Sequence, residues 1–447
     1  MARGKKKESA LTPEEKLAQA LVPEGEQPYK VPENWCWVYL PNVCDYMRAG
    51  GDKPSIFSEE KTAELNIPVV ANGIQNEGII GFTDVENEKA GTVTVSGRGT
   101  IGYPILREYP YYPVVRLIVL APNKVILPSY LKNVFFCLEE EGTGSSIPQL
   151  TVPMLKGKVI PIAPVNEQQR IVDRIEYLFA KLDEAKEKAQ SVLDSFETRK
   201  AAILHKAFTG ELTAKWRAEH GVEMESWVNE TLQSVCSMKI TDGTHKTPTY
   251  CDADVGVPFI SAKDVTGEVI CWDKIKYIVP ELHEELYARL APQLDDILLA
   301  KNGTTGVAAI VDVDKVFDLY VTLAVLRPDK SKILPRYLLR IVNSPVCKNQ
   351  FDEHLTGIGV PNLHLRDIKE VVIQVPSLAE QAAIIQIVDS IMEKEQQAKE
   401  AAEAVLDKID LLKKSILARA FRGELGTNDP TEESALELLK EILKGDI

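Results

Sequence analysis

Side chains able to match the edges of nucleic-acid bases are concentrated in short loops punctuated by glycine. Two lie early in the chain, Asn72-Gly73-Ile74-Gln75-Asn76 and Ser96-Gly97-Arg98-Gly99-Thr100. Three lie later: TDGTHKTP at 241–248, Ser261-Ala262-Lys263-Asp264, and Lys301-Asn302-Gly303-Thr304-Thr305. Amide, guanidinium, ammonium and hydroxyl groups can pair with base-edge donors and acceptors, and glycine lets backbone approach phosphate. The candidate contacts are Asn72, Gln75, Asn76, Arg98, Thr100, Thr244, His245, Lys246, Lys263, Lys301, Asn302 and Thr304. The competing reading is that these are hairpin turns, where Asn-Gly and Asp-Gly belong in any case. Gly99 and Gly303 read as structural, because both halves of the chain keep them.

Catalytic constellations are missing from the sequence. It has no G-x-x-x-x-G-K-[ST], no G-x-G-x-x-G opening a helix, no G-x-S-x-G elbow and no Asn-Pro-Pro-aromatic tetrapeptide. The six histidines are scattered without ligand spacing; His205 reads as solvated or packed on a helix. Asp295-Asp296 precede a buried strand and read as a turn or strand-edge pair rather than a catalytic dyad. The seven cysteines form no C-x-x-C, which predicts reduced thiols in a cytosol and neither a disulfide frame nor a zinc site. We therefore expect no catalytic residue, bound metal or cofactor in this chain.

The elements that must carry these loops come in two copies. RKAAILHKAFTGEL at 199–212 and LKKSILARAFRGEL at 412–425 agree at 8 of 14 positions, at an offset of 213. The same offset carries Pro148 onto Pro361, Leu150 onto Leu363 and Glu167-Gln168 onto Glu380-Gln381. Further forward the spacing changes. Trp35 and Cys44 answer Trp227 and Cys236 at offset 192, Gly99 and Gly102 answer Gly303 and Gly306 at 204, and Tyr130-Leu131 answers Tyr337-Leu338 at 207. Each half thus has a variable front and a closely matched rear, and the second front is longer by 21 residues (213 − 192).

Each rear reads as a long helix. From Glu167 to about Phe208 there is no Pro or Gly. Apolar residues recur every seven positions, in one seam at Ile171, Leu178, Ala185 and Val192 and in another at Ile175, Leu182, Ala189, Phe196 and Ile203. The second copy repeats this with Ile384, Ile391, Ala398, Val405 and Leu412, and with Val388, Ala402, Ile409 and Ile416; Glu395 breaks the seam. Gly210 and Gly423 supply the stops. A helix of about 40 residues is roughly 60 Å long, so each reads as a strut, paired antiparallel with the other. The alternative is that each caps its own front.

The fronts mix short β-branched runs with turns. The runs include Thr92–Val95, Val114–Leu120, Ile297–Leu299 and Val321–Leu326, with helix-like pieces at 129–138 and 336–349. The fold class expected is α+β: two mixed α/β domains joined by two long antiparallel coiled-coil helices, a pseudo-twofold duplication. The boundaries are a basic arm and short helix at 1–34, first domain 35–165, first helix 166–213, linker and second domain 214–376, second helix 377–425 and a helical tail at 426–447. The tail is expected to pack near Pro13–Leu21.

Length and composition agree. The chain has 447 residues, 45% of them apolar and 26% charged, so it can build real cores. No apolar run approaches membrane-spanning length, and no apolar stretch follows the basic start MARGKKKESA, so no secretion signal is expected.

The layout resembles the specificity subunits of type I restriction–modification systems over nearly the whole chain. The resemblance is carried by TVTVSGRGTIGYP with YYPVVRLIVL, TDGTHKTP with VPFISAKDV, DDILLAKNGTTG, NEQQRIVDRIEYL with AEQAAIIQIVDSI, and AFTGEL with AFRGEL. It implies two target recognition domains, each reading one half of a bipartite, asymmetric double-stranded DNA target. It also implies spacer helices that set the gap and dock two methyltransferase subunits, with restriction subunits joining. The chain itself would be non-catalytic and cytoplasmic, have no membrane partner, and leave S-adenosylmethionine to the methyltransferase subunits.

Charge pulls the other way. The net charge is −14, and each front (35–148 and 227–361) sums to −4. We therefore expect weak DNA binding by the isolated chain, with phosphate neutralisation supplied by partners. The acidic balance also leaves open a scaffold that binds no DNA and presents two protein-interaction domains. The arm residues Arg3, Lys5, Lys6 and Lys7 read either as a backbone contact or as a solvated tail.

Overall fold

The computed structural model describes residues 12–138, 149–355 and 362–445. The basic arm and the Pro148/Pro361 pair lie outside these residues. The chain divides into two compact units, one of residues 1–189 with 404–447 and the other of residues 190–403. Both boundaries fall within long helical segments.

The first unit is organised round a four-stranded antiparallel sheet with strands in the order Cys44–Ala49, Ile118–Pro122, Thr92–Val95, Pro104–Arg107. The helix Pro128–Phe135 follows, with Pro at its first turn, where the missing N–H costs nothing. Cys36–Tyr39 pairs antiparallel with Val159–Ile162, and a smaller sheet joins Ile79–Thr83, Ile67–Val70 and Tyr112–Pro113. The second unit repeats the frame. Its central sheet runs Thr241–Asp242, Leu323–Leu326, Ile297–Ala300, Ala308–Ile310, and Val228–Thr231 pairs with Val372–Val375. The helix Pro335–Val342 is followed there by another, Pro345–Glu353.

Two apolar runs are shorter as strands than expected. Val114–Leu117 is a turn, with Val115 and Arg116 at φ 54° and 59°, and only Ile118–Pro122 continues as strand. In the second unit the strand starts at Leu323, because Leu323 N–H bonds back to the Tyr320 carbonyl at 3.0 Å in a turn.

The first long helix is interrupted at Ser195, giving Val165–Asp194 and Phe196–Phe208. The Ser195 hydroxyl bonds back to the Ser191 carbonyl (2.6 Å), a contact that competes with regular helix. The second, Leu378–Ala420, is unbroken over 43 residues. Left-handed glycines end both segments, Gly210 at φ 82° and Gly423 at φ 73°.

The long helices enter the cores in a crossed fashion. In the first unit Ile171, Val172 and Ile175 share a core with Leu417, Ala420 and Phe421 from the end of the second helix. In the second unit Leu204, Ala207 and Phe208 share a core with Ile384 and Val388 from its start. Each fully buried side chain of this size contributes roughly 1.5–3 kcal/mol.

The seam break at Glu395 is compensated within the second unit, where Arg199 Nε donates to its carboxylate at 2.8 Å. One seam of the second helix departs from expectation. Val388, Ala402 and Ile409 are buried, whereas Ala398, Val405 and Leu412 are exposed.

Each long helix starts with a buried Glu-Gln pair that fastens it to its front. Trp35 Nε1 donates to Glu167 at 2.7 Å, and Trp227 Nε1 to Glu380 at 2.9 Å. Gln168 accepts from Leu127 N–H and donates to the Val125 and Ala163 carbonyls; Gln381 does the same with Leu334, Lys332 and Pro376. All four side chains are fully buried, so these bonds are obligatory. The tail closes on the first unit as expected. Ala435–Lys444 packs against Pro13–Ala20, Ala435 N–H bonds the Asn34 carbonyl at 3.0 Å, and Arg170 grips Glu432 through two 2.8 Å bonds.

Candidate nucleic-acid interface

In each unit one glycine lets two backbone segments cross, and the crossing gathers the polar loops. A Cβ on Gly50 would lie 2.7 Å from the Pro113 carbonyl carbon; on Gly243 it would lie 2.1 Å from the Leu319 oxygen. Beside them sit matching parallel bridges, Gly51 to Val114 and Thr244 to Tyr320. Ile67–Val70 pairs parallel with Tyr112–Pro113, and Val257–Ile260 with Asp318–Leu319.

The first rim brings together loops 72–76, 96–100, 115–116 and 149–150. Asn72 is the clasp: its Nδ2 donates to the Val115 carbonyl and its Oδ1 accepts from Gly97 N–H, both at 2.8 Å. Leu150 N–H closes the ring on the Gly97 carbonyl at 2.9 Å. Asn72 therefore departs from expectation, because its amide is spent on positioning. Gln75 and Thr100 are exposed. Asn76, at φ 47°, is exposed and donates weakly to the Ile79 carbonyl. Arg98 is half-buried, and its Nη2 reaches Gln149 Oε1 at 3.0 Å. Exposed Arg116 converges on the same oxygen at 3.4 Å.

The second rim contradicts two further expectations. Lys301 is buried and its ammonium is bound to the Asp242 carboxylate, because burial of an ammonium demands a counter-charge. Thr244 is also buried; its N–H bonds the Leu319 carbonyl and its hydroxyl accepts from Lys246 N–H at 3.1 Å, so it shapes the turn. His245 is exposed, 3.4 Å from Asp242. Lys246 is exposed but paired with Glu285. Lys263 is exposed in a turn held by Ser261 and Asp264. Asn302 bridges to Asn362 by backbone, and exposed Thr304 bonds the Ala262 carbonyl at 3.4 Å. Asp296 is bound by Arg327 at 2.8 Å while Asp295 takes φ 73°, as a turn pair should.

Arg116 and Gln149 were not among the sequence candidates. The register identifies their counterparts. Leu150 bonds Gly97 as Leu363 bonds Lys301, so Arg98 answers Asn302 and Gln149 answers Asn362; the matching bridges make Arg116 answer Thr322. The shared offsets of 204 and 213 held this information for Arg98 and Gln149, but only a contact map joins them.

Comparison with known proteins bears on this arrangement. A family model described as the type I restriction modification DNA specificity domain matches residues 32–193 and again 224–404. The EcoBI type I specificity subunit of Escherichia coli is 24% identical over 309 residues, 67% of this chain and 64% of the relative. The MjaVIII specificity subunit of Methanocaldococcus jannaschii is 23% identical over 411 residues, 85% of this chain and 92% of the relative. Among solved structures, an HsdS subunit from Thermoanaerobacter tengcongensis superposes with a TM-score of 0.59 at 19% identity. That match covers 90% of this chain and all of the other.

Proposed function

Because this chain belongs to the type I restriction–modification DNA specificity family, we propose that it is the sequence-reading subunit of such a complex. Its domains at 35–165 and 214–376 each read one half of a bipartite, asymmetric double-stranded DNA. The helices at 166–213 and 377–425 pair antiparallel as a coiled coil, hold the domains across an unread gap and dock two methyltransferase subunits; restriction subunits complete the nuclease. The chain itself performs no catalysis, S-adenosylmethionine sits on the methyltransferase subunits, and the complex works in the cytoplasm.

The observation that carries this reading is the pair of rims: one backbone scaffold, used twice, with different side chains at matching positions. That is what two different half-sites require. Exposed Val405 and Leu412, seven positions apart on one face of the second helix, support the docking role, since exposed apolar side chains on one helix face suit a protein partner. The pairing of Lys246 and Lys301 with carboxylates fits weak DNA binding by the chain alone.

The test is to express the chain with the methyltransferase of its own system and map methylated sites by sequencing. A single bipartite motif is expected. Methylation without any motif, or with one that does not change when this chain is exchanged for a relative, sinks the reading.

A further inference from the structure

The first rim carries a feature its counterpart lacks. Arg98 Nε and Nη2 lie 3.3 and 3.0 Å from Gln149 Oε1, and Arg116 Nη1 lies 3.4 Å from the same atom. Two guanidiniums thus converge on a single carbonyl oxygen. The one acceptor in this group is consumed internally, so what remains outward is N–H: the unused donors of both arginines and the amide of Gln149. The supporting loop is equally committed, with both ends of the Asn72 amide spent on Val115 and Gly97. Arg116 is projected by two successive non-glycine residues at positive φ, held by Val115 N–H on Gly51 and Arg116 N–H on Gly50. Strained backbone of this kind persists where a side chain must be aimed.

A donor-only, planar, positively charged group fits an edge that presents acceptors alone. Among the four bases in the major groove guanine alone presents two adjacent acceptors, O6 and N7; thymine offers one, O4, beside a methyl group, adenine sets a donor beside its acceptor, and cytosine presents a donor. The matching positions in the second unit are Asn302, Thr322 and Asn362, which are uncharged. Resting on the function proposed above, we propose that Arg98, Arg116 and Gln149 form a guanine-reading subsite in the half-site bound by the first domain, with no cationic equivalent in the second.

Two measurements test this with the assembled methyltransferase complex. First, methylated sites are mapped for Arg98→Gln and Arg116→Ala, with thermal melting to confirm folding. The expected result is a G in one half of the motif that becomes degenerate, with the other half unchanged. Second, the wild-type complex binds duplexes in which that G is replaced by 7-deazaguanine, which removes the N7 acceptor and does not depend on any variant folding. Binding should fall by about 5-fold or more. Methylation reduced evenly over all sites with the motif intact would assign the arginines to phosphate and overturn the proposal. So would relaxation at a position that is not G, or equal affinity for 7-deazaguanine and guanine at every G of that half. Absence of any motif in the wild type would instead remove the underlying function.

Discussion

The two rims share a backbone and differ in where their charges are spent. At the position where the first has Gly97, the second has Lys301; where the first has Ala49, the second has Asp242, and that pair closes inward on itself. The first rim instead keeps its interior neutral and puts Arg98 and Arg116 outward. A lysine in a glycine-rich loop is thus not evidence of a contact. What decides is whether a carboxylate stands behind it.

A second contrast lies behind the rims. In the first unit a cleft of about 710 Å³ opens beside the first long helix, lined by Ile105, Leu106, Phe136, Ile175, Phe179 and Asp183. In the second unit the hairpin Val265–Ile270, part of the longer front, reaches the helices. Its tip Glu268, at φ 77°, is bound by Arg340 and lies 3.4 Å from Lys200. The hairpin of the longer front therefore packs onto the end of the first long helix.

The largest effect should come from the helix anchors. Glu380 is fully buried and takes Arg217 Nη1 (2.8 Å), Thr213 Oγ1 (2.7 Å) and Trp227. Glu380→Ala leaves Arg217 uncompensated and should cost the second unit about 3–5 kcal/mol. Glu167→Ala, whose hydrogen-bond partners Trp35, Asn428 and Thr427 are neutral, should cost about 1–3 kcal/mol. Hydrogen exchange read separately over each unit checks the order, and equal losses would erase the asymmetry.

Next is the buried pair of the second rim. Lys301→Met should destabilise by about 3 kcal/mol because Asp242 keeps a buried charge. Adding Asp242→Ala should recover most of that loss in chemical denaturation. Additive losses in the double variant would mean the two groups are not coupled.

The crossing glycines come third. Gly243→Ala and Gly50→Ala push a Cβ into backbone, and each should cost about 1–3 kcal/mol, with Gly243 the more sensitive because its approach is closer. Melting temperatures of the two variants give the comparison.

The smallest effect is expected at the tail, which has its counterpart in the linker of the second unit. The Arg170 guanidinium holds the Glu432 carboxyl below its ordinary value through their hydrogen bonds. Its contribution is therefore present at neutral pH and lost as the pH falls through that lowered value. Both groups are partly exposed, so Glu432→Gln should cost under about 1 kcal/mol at neutral pH and nothing in acid. A loss that persists in acid would point to something other than the ion pair.

Much of this organisation was legible in the residues alone. A period of seven identifies a helix with one apolar side wherever it occurs, and the repeated Trp, Glu-Gln and Gly signals marked both copies, because such signals are local in the chain. Tertiary structure decided what local signals cannot carry. Ala398, Val405 and Leu412 continue the seam yet remain exposed, since burial depends on a facing surface rather than on spacing. Trp35 meets Glu167 across 132 positions, and Arg98, Arg116 and Gln149 meet across three separate loops. Whether a polar side chain faces solvent or spends itself on its own backbone depends on which groups folding brings within about 3 Å, and that distance is not written in the order of residues.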